Sequence, residues 1–233
     1  MERRAATVRT IAALLLAALA GCGRFPRDAE DTLAQVEAGR PLRVGWSAAG
    51  PWVRTTPGEP AGVEPDLVRR WAAARGARIR WVEGSEAQLV EGLNQNSLDV
   101  AVAGFTDRAP WGAKIGQTQP YMTAKVVIGA RPGAPAPDDW GGVAVSHDPR
   151  RPEFAAYLRA KEAMPTTGPA DYRAVYEPEL ATAGLRHTGE TLRTERRTIA
   201  VAPSENALTL SLDRFLHEQR GTIGERLAAE ARR

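Results

Sequence analysis

The stretch SLDVAVAGFTDRAPW, residues 97–111, joins a buried strand to polar groups that follow it directly. Small and β-branched residues run from Val100 to Gly104, a composition typical of a strand that is buried on both faces. Gly104 and Thr106 then lead into a polar turn that carries Arg108. In open α/β sheets, ligands bind outside the carboxyl ends of the strands. The stretch therefore predicts the edge of a ligand site.

Around this stretch, the apolar pattern predicts alternating strands and helices. Upstream, it predicts in order a strand at 42–46, a helix at 63–77, a strand at 78–82 and a helix at 85–97. Together with the strand at 99–104, this β-α-β-α-β order predicts a parallel sheet. Downstream, it predicts strands at 124–130, 143–148, 173–177 and 196–203, and helices at 151–164, 178–184, 204–221 and 222–233. A segment rich in proline and glycine, 131–142, indicates a hinge or a lobe boundary.

The N-terminal segment predicts export. Residues 1–21 combine an arginine-rich start with an apolar run that is shorter than the roughly 20 residues of a membrane span, which is typical of a signal peptide. The sequence LAGC, which ends at Cys22, resembles the lipobox of bacterial lipoproteins. That resemblance implies a lipid anchor on Cys22, a tether over 22–39 and a periplasmic location on either the inner or the outer membrane. The alternative is an ordinary signal peptide that contains a buried cysteine.

Composition excludes several classes of function. Cys22 is the only cysteine, so the chain forms no internal disulfide and no multi-cysteine metal site. The formal charge is +3, and the predicted signal peptide holds three arginines and one glutamate, so the remainder is close to neutral. Without a basic block or a glycine-rich phosphate loop, we expect neither nucleic acid binding nor a cofactor or metal. A hydrophobic content of 43% is ordinary for a globular protein.

Taken in order, LRVGW, GPW, AGVEPDLV, LNQNSLDVAVAGFT and TQPYM resemble the bacterial solute-binding proteins of family 3 over residues 42–130. The segment RTIAVAPSENALTLSLDRFL, 197–216, resembles the family's return strand and closing helix. The resemblance implies an α/β, two-lobed periplasmic-binding-protein-like fold of type II with a shortened second lobe. Lobe 1 would be 40–123 plus 199–233, and lobe 2 would be 124–198. Such proteins capture a small solute between the lobes and act with the membrane permease of an ABC transporter. We expect this chain to do so as a monomer.

The resemblance also implies site residues in the first lobe. Trp52 takes the place of an aromatic side chain that stacks on the ligand; the alternative is packing within the lobe. The carbonyl of Gly104 and the hydroxyl of Thr106 lie where the family holds a ligand ammonium, unless this is a plain strand exit. Phe105 either lines the site or belongs to the core.

The family's carboxylate-binding arginine is missing from its usual position. Members that bind amino acids place it seven residues after the glycine that matches Gly104, and its guanidinium grips the carboxylate as a fork. That position here is Trp111, which implies a more aromatic solute, a less acidic one, or one that is held differently. The nearest arginine, Arg108, either reaches the cleft or is a solvated turn residue.

The second lobe also departs from the family pattern. Ser146 and His147 stand where members commonly show Gly-Thr-Thr, and their hydrogen bonds would complete carboxylate binding. The alternative for His147 is an exposed turn histidine. Glu177 is the nearest candidate for an acid that meets the ligand ammonium.

We therefore expect a lipid-anchored, substrate-binding protein of an ABC transporter that takes a small polar or aromatic, amino-acid-like solute. One alternative is a scaffold or sensor lipoprotein that keeps the fold without a transport ligand. A lesser alternative is a dehydratase of the cyclohexadienyl type, which the family also contains. We expect no enzyme, because the three histidines are far apart in the sequence and no nucleophile elbow is present.

Overall fold

The computed structural model describes residues 27–111, 114–230 and 232. The predicted signal peptide and Cys22 lie outside these ranges. The strands are β1 Leu42–Trp46, β2 Ile79–Glu83, β3 Val100–Val102, β4 Gly116–Gln117, β5 Met122–Ala130, β6 Ala144–Ser146, β7 Met164–Thr166, β8 Tyr172–Tyr176, β9 Arg186–Arg197 and β10 Ala200–Val201. The helices are α1 Thr32–Glu37, α2 Val63–Ala73, α3 Glu86–Asn94, α4 Glu153–Arg159 and α5 Asn206–Glu230. A 3-10 turn spans Glu177–Glu179.

The first sheet has the order β2-β1-β3-β10-β4. Strands β1, β2 and β3 run parallel, which confirms the prediction from the alternating pattern. Ser85 begins α3 as predicted, because its hydroxyl accepts a hydrogen bond from the Gln88 N–H while the Gln88 side chain binds the Ser85 N–H. The returning strand β10 is antiparallel to both β3 and β4. The carboxyl ends of β1 and β3 thus lie side by side.

The second sheet has the order β7-β6-β8-β5-β9, with β5 antiparallel to both of its neighbours. Its edge strand β9 runs from Arg186 to Arg197, whereas the sequence predicts one last strand at 196–203. The predicted strand contains β10 and the last two residues of β9. The rest of β9 was missed because it is rich in charged residues and has few buried side chains, so it lacks an apolar pattern. Long charged side chains are typical of an edge strand, where they oppose pairing with other chains.

The C-terminal helix α5 continues through the predicted break near Gly221. Ile223 and Leu227 are buried and extend the apolar face beyond Gly221, which holds the last turns on the core. The helix start also differs from the prediction of Ser204 as N-cap. Ser204 has a φ of 65°, and the carboxylate of Asp28 accepts hydrogen bonds from the first turn of the helix instead.

The segment before β1 packs on the start of α5. Glu205 accepts backbone hydrogen bonds from Glu30 at 2.9 Å and from Thr32 at 3.3 Å, and both Thr32 and Val36 are buried. Residues 28–37 therefore belong to the folded unit, although the sequence predicts a tether as far as residue 39.

The two sheets share one hydrophobic core. Trp52 and Tyr121 from the side of the first sheet and Phe154 and Tyr176 from the side of the second belong to one cluster of buried side chains. The α/β class and the division into two sheets, both predicted from the sequence, are confirmed. Within the described ranges, no helix has the length and apolar character that crossing a bilayer requires.

Candidate functional site

A cleft of about 920 Å³ lies between the two sheets. On one side it is lined by the loops that follow β1 and β3, and on the other by the start of α4 and the second half of β9. The loop residues are Ala48, Ala49, Gly50, Trp52, Gly104, Thr106, Asp107 and Arg108; those facing them include Arg150, Glu153, Tyr157, Arg193, Glu195 and Arg197. The loops after β1 and β3 follow the carboxyl ends of parallel strands, where ligands of open α/β sheets bind.

Trp52 and Tyr176 connect the two sides of the cleft. The indole Nε1 of Trp52 donates a hydrogen bond of 3.0 Å to the Tyr176 hydroxyl, and the ring centroids are 5.3 Å apart at 77°. Both side chains are almost fully buried. Burial raises the pKa of Tyr176 to about 12, although the positive charge of Arg197 works against this. The hydroxyl therefore stays protonated, and it donates a 3.4 Å hydrogen bond to Glu195.

The guanidinium of Arg197 fills the space beside these rings. Its central carbon lies 4.7 Å from the centroid of the Trp52 ring. Nη1 donates to the carbonyl of Gly104, and Nη2 donates to the Tyr176 hydroxyl at 2.8 Å and to the carboxylate of Glu195. Burial opposes the charge, but the electrostatic contributions of Tyr176 and Glu195 outweigh burial and raise the pKa of Arg197. Arg197 is therefore a permanent cation in the cleft wall.

Glu64 binds the backbone of the loop after β3. Its side chain is fully buried and accepts hydrogen bonds from the Gly104 N–H at 3.0 Å and from the Tyr121 hydroxyl at 2.7 Å. Burial raises the pKa of Glu64 more than these hydrogen bonds and Arg197 lower it. Gly104 itself has a φ of 66°, and a Cβ there would lie 3.0 Å from both the Ala49 Cβ and the Arg197 Nη1. Glycine is thus required where the loop meets Arg197.

The charges of the cleft wall are not all paired. Five arginines face four carboxyl groups: Arg108, Arg150, Arg193, Arg196 and Arg197 against Glu86, Asp107, Glu153 and Glu195. Arg196 pairs with Asp107 at 3.1 Å, and Arg150 pairs with Asp148 outside the cleft at 2.8 Å. Arg108 and Arg193 have no ion pair within residues 27–111, 114–230 and 232. The cleft therefore presents two exposed cations to a solute.

Glu153, another residue of the cleft wall, has a raised pKa. Desolvation raises the pKa of Glu153, and the nearby carboxylate of Glu195 raises it further. The Tyr157 hydroxyl donates a 2.7 Å hydrogen bond to Glu195.

Four of the residues predicted from the sequence line the cleft: Trp52, Gly104, Thr106 and Arg108. Phe105 instead packs in a smaller core with Leu89 and Leu93. Trp111 lies outside the cleft lining, where its Nε1 donates to the carboxylate of Glu86 and Lys114 lies 5.8 Å from its ring centroid.

The three candidates of the second sheet lie away from the cleft. Ser146 Oγ donates to the Tyr172 carbonyl at 3.0 Å, and His147 Nδ1 lies 3.1 Å from the Asp148 carbonyl oxygen. Both residues line a separate cavity of about 580 Å³. The carboxylate of Glu177 is 3.7 Å from both Lys125 Nζ and His187 Nε2. The structure does not bring these residues together with Trp52, and their role in ligand binding stays a prediction.

Sequence reasoning missed Arg197 in the cleft wall and Glu64, which is buried behind the loop after β3. Arg197 lies in a stretch that reads as an ordinary strand, and the carbonyl it binds is 93 positions away in the sequence. By its position in the sequence, Glu64 reads only as an acid at the start of a helix, where the helix dipole favours it, and it does lie in the first turn of α2. The signal that could have identified Glu64 is its place beside a glycine-rich turn, because a charged residue at a buried helix start needs a partner.

Comparison with known proteins assigns the chain to a family. The family model for bacterial extracellular solute-binding proteins, family 3, matches residues 42–225. The chain belongs to this family. No curated protein sequence matches it.

Several solved structures share the fold of this family member. An ancestral cationic amino acid solute-binding protein has 19% identity and a TM-score of 0.67, covering 85% of this chain and 98% of its own. A putative ABC transporter binding component from Wolinella succinogenes, complexed with lysine, has 21% identity and a TM-score of 0.57, covering 80% and 93%. The GluR0 ligand-binding core with L-glutamate has 12% identity and a TM-score of 0.57, covering 82% and 98%.

Proposed function

We propose that this member of the family is a lipid-anchored receptor that captures a small polar or aromatic, amino-acid-like solute and passes it to an ABC permease. The cleft between the two sheets carries the proposal, since it joins the ring of Tyr157, hydroxyls and unpaired cations in a space suited to a small molecule. In this proposal, 40–123 with 199–233 and 124–198 are two lobes that close on the solute. The names of the structural neighbours, which mention cationic amino acids, lysine and glutamate, support an amino-acid-like class.

The unpaired cations suggest how the solute is held. Arg108 on one side and Arg193 on the other would bind its carboxylate, because guanidinium groups form strong charge-assisted hydrogen bonds with carboxylates. The hydroxyl of Thr106 would add a further contact. This arrangement replaces the arginine that the family places at the position of Trp111.

A thermal-shift screen tests the proposal. The protein would be titrated with neutral, acidic, basic and aromatic amino acids, amines and short peptides. A solute at 100 times its dissociation constant adds about 2.7 kcal/mol of stability, which corresponds to a rise of about 5–11 °C in a domain of this size. Arg108→Ala and Arg193→Ala should reduce that rise. Arg159→Ala, an exposed arginine on α4 outside the cleft lining, is the matched control and should not.

The proposal fails if the folded protein is stabilised by no solute in the screen. That result would favour the second candidate, a scaffold or sensor lipoprotein. One observation supports this second candidate: Trp52, Tyr176 and Arg197 in and behind the cleft wall already hydrogen-bond to one another across the two sheets.

The dehydratase remains a lesser candidate because Glu153 combines a raised pKa with a position in the cleft wall, and perturbed acids of this kind suit proton transfer. One structural neighbour is described as the precursor of a cyclohexadienyl dehydratase. Turnover of prephenate that disappears in Glu153→Gln would establish this candidate, and absence of turnover would remove it.

A further inference from the structure

The guanidinium of Arg197 is enclosed as a bound ligand would be. Its side chain is only 8% exposed. Three of its contacts come from other parts of the chain, namely the face of Trp52, the carbonyl of Gly104 and the hydroxyl of Tyr176. The fourth is the carboxylate of Glu195 on its own strand. An aromatic face, neutral oxygens and a carboxylate are the groups that recognise organic cations.

The contacts hold the two terminal nitrogens of the guanidinium rather than Nε. Both Nη atoms donate hydrogen bonds, whereas the buried Nε has no partner in the described part of the chain. Arg151 also lies over aromatic rings, those of Tyr176 and Phe154, but its hydrogen bonds differ: two of them, of 2.6 and 2.7 Å, go to the single carboxylate of Glu179. That two-pronged geometry is typical of a structural ion pair. The hydrogen bonds of Arg197 go instead to three different groups around a planar cation.

The charges around this enclosure also suit a cation. Glu195 contacts Arg197 directly, and Glu64 binds the N–H of the same glycine whose carbonyl Arg197 binds. Both acids are buried. Without the arginine, the enclosure would hold acidic groups and an aromatic face with no positive charge, and buried groups of one sign favour an incoming counterion.

We propose that Arg197 is an internal ligand, which fills a cation subsite of the cleft with the chain's own guanidinium and thereby excludes basic solutes. The filling of the subsite stands on the geometry alone, whereas the selectivity rests on the proposed receptor function. The transported solute would then be a neutral or acidic amino-acid-like compound. Its carboxylate would meet the unpaired Arg108 and Arg193, while the place for a basic side chain is closed.

The test replaces the internal cation with a free one. In Arg197→Ala, methylguanidinium chloride at low millimolar concentration should raise the melting temperature in a saturable way, and sodium chloride at the same ionic strength should not. Wild type and Arg197→Lys, which keep a cation in place, should show no such rise. If Arg197→Ala does not fold by itself, the yield of folded protein after refolding with and without methylguanidinium gives the same test.

A second arm addresses selectivity. Calorimetric titration with L-arginine should show binding to Arg197→Ala that is at least about tenfold tighter than to wild type, the order of one charge-assisted hydrogen bond. Arg151→Ala is the matched control, because it also exposes a buried carboxylate but outside the cleft, and it should gain no binding of L-arginine.

Each outcome decides a distinct point. No effect of methylguanidinium on Arg197→Ala, or an equal effect on Arg151→Ala, overturns the cation subsite. Methylguanidinium binding without any gain for L-arginine overturns the exclusion of basic solutes while the subsite stands. Failure of the receptor function itself would appear separately, as a wild-type protein that no neutral or acidic solute stabilises.

Discussion

The hydroxyl of Tyr176 provides a direct test of the contacts across the cleft. It accepts hydrogen bonds from Trp52 Nε1 at 3.0 Å and from Arg197 Nη2 at 2.8 Å. Tyr176→Phe removes the hydroxyl and keeps the ring, so the buried indole N–H loses its acceptor while Arg197 keeps Glu195. Leaving one buried donor without an acceptor costs about 1–3 kcal/mol, and we expect a loss of that size. This corresponds to a melting temperature lower by about 2–12 °C.

Urea denaturation of wild type, Tyr176→Phe and Tyr172→Phe measures this loss. Tyr172 is the matched control, because its hydroxyl donates to the Pro135 carbonyl at an exposed position. We expect its removal to cost less than about 1 kcal/mol. The slope of the free energy against urea should be the same in all three proteins. Equal stabilities for the two variants would refute the reasoning that the Tyr176 hydroxyl holds the cleft together.

Two further predictions concern pH. Hydrogen bonds from Arg43 and Arg40 lower the pKa of Asp99 despite its burial, so its stabilisation is present above about pH 4 and is lost as pH falls. Asp99→Asn should cost about 2 kcal/mol at pH 7 and lose less stability on acidification. Burial raises the pKa of Glu64, so the stability it contributes at acid pH is lost as pH rises through that pKa. The stability of Glu64→Gln relative to wild type should therefore increase from pH 4 to pH 8. Urea denaturation midpoints of the two proteins that change in parallel across this range would contradict this prediction.

Local sequence patterns were sufficient to predict the three parallel strands of the first sheet. β3 is a buried apolar run, β1 and β2 mix apolar with charged residues, and helices separate all three. The Ser85 cap depends on a residue only three positions away. The charged edge strand β9 was missed because its stability comes from pairing with β5 rather than from an apolar pattern. Helix α5 continues past Gly221 since tertiary burial of Ile223 and Leu227 overrides the weak helix propensity of glycine.

The candidate site, too, could be predicted from the sequence only in part. Trp52, Gly104 and Thr106 follow the ends of predicted strands, so their place in the cleft could be expected from topology. Arg197 could not be placed, because its partners Gly104 and Tyr176 are 93 and 21 residues away and belong to different sheets. Contacts of that kind depend on how the two sheets pack, which no local pattern encodes.

Calorimetric titration of the wild-type protein with the solute that gives the largest thermal shift tests the central claim most directly. The account predicts one neutral or acidic amino-acid-like solute bound per chain, with affinity about tenfold weaker or more in Arg108→Ala and in Arg193→Ala, since each removes a charge-assisted contact. Arg159→Ala should bind as wild type does. No saturable heat, or unchanged affinity in both cleft variants, would contradict the claim that this cleft is the solute-binding site.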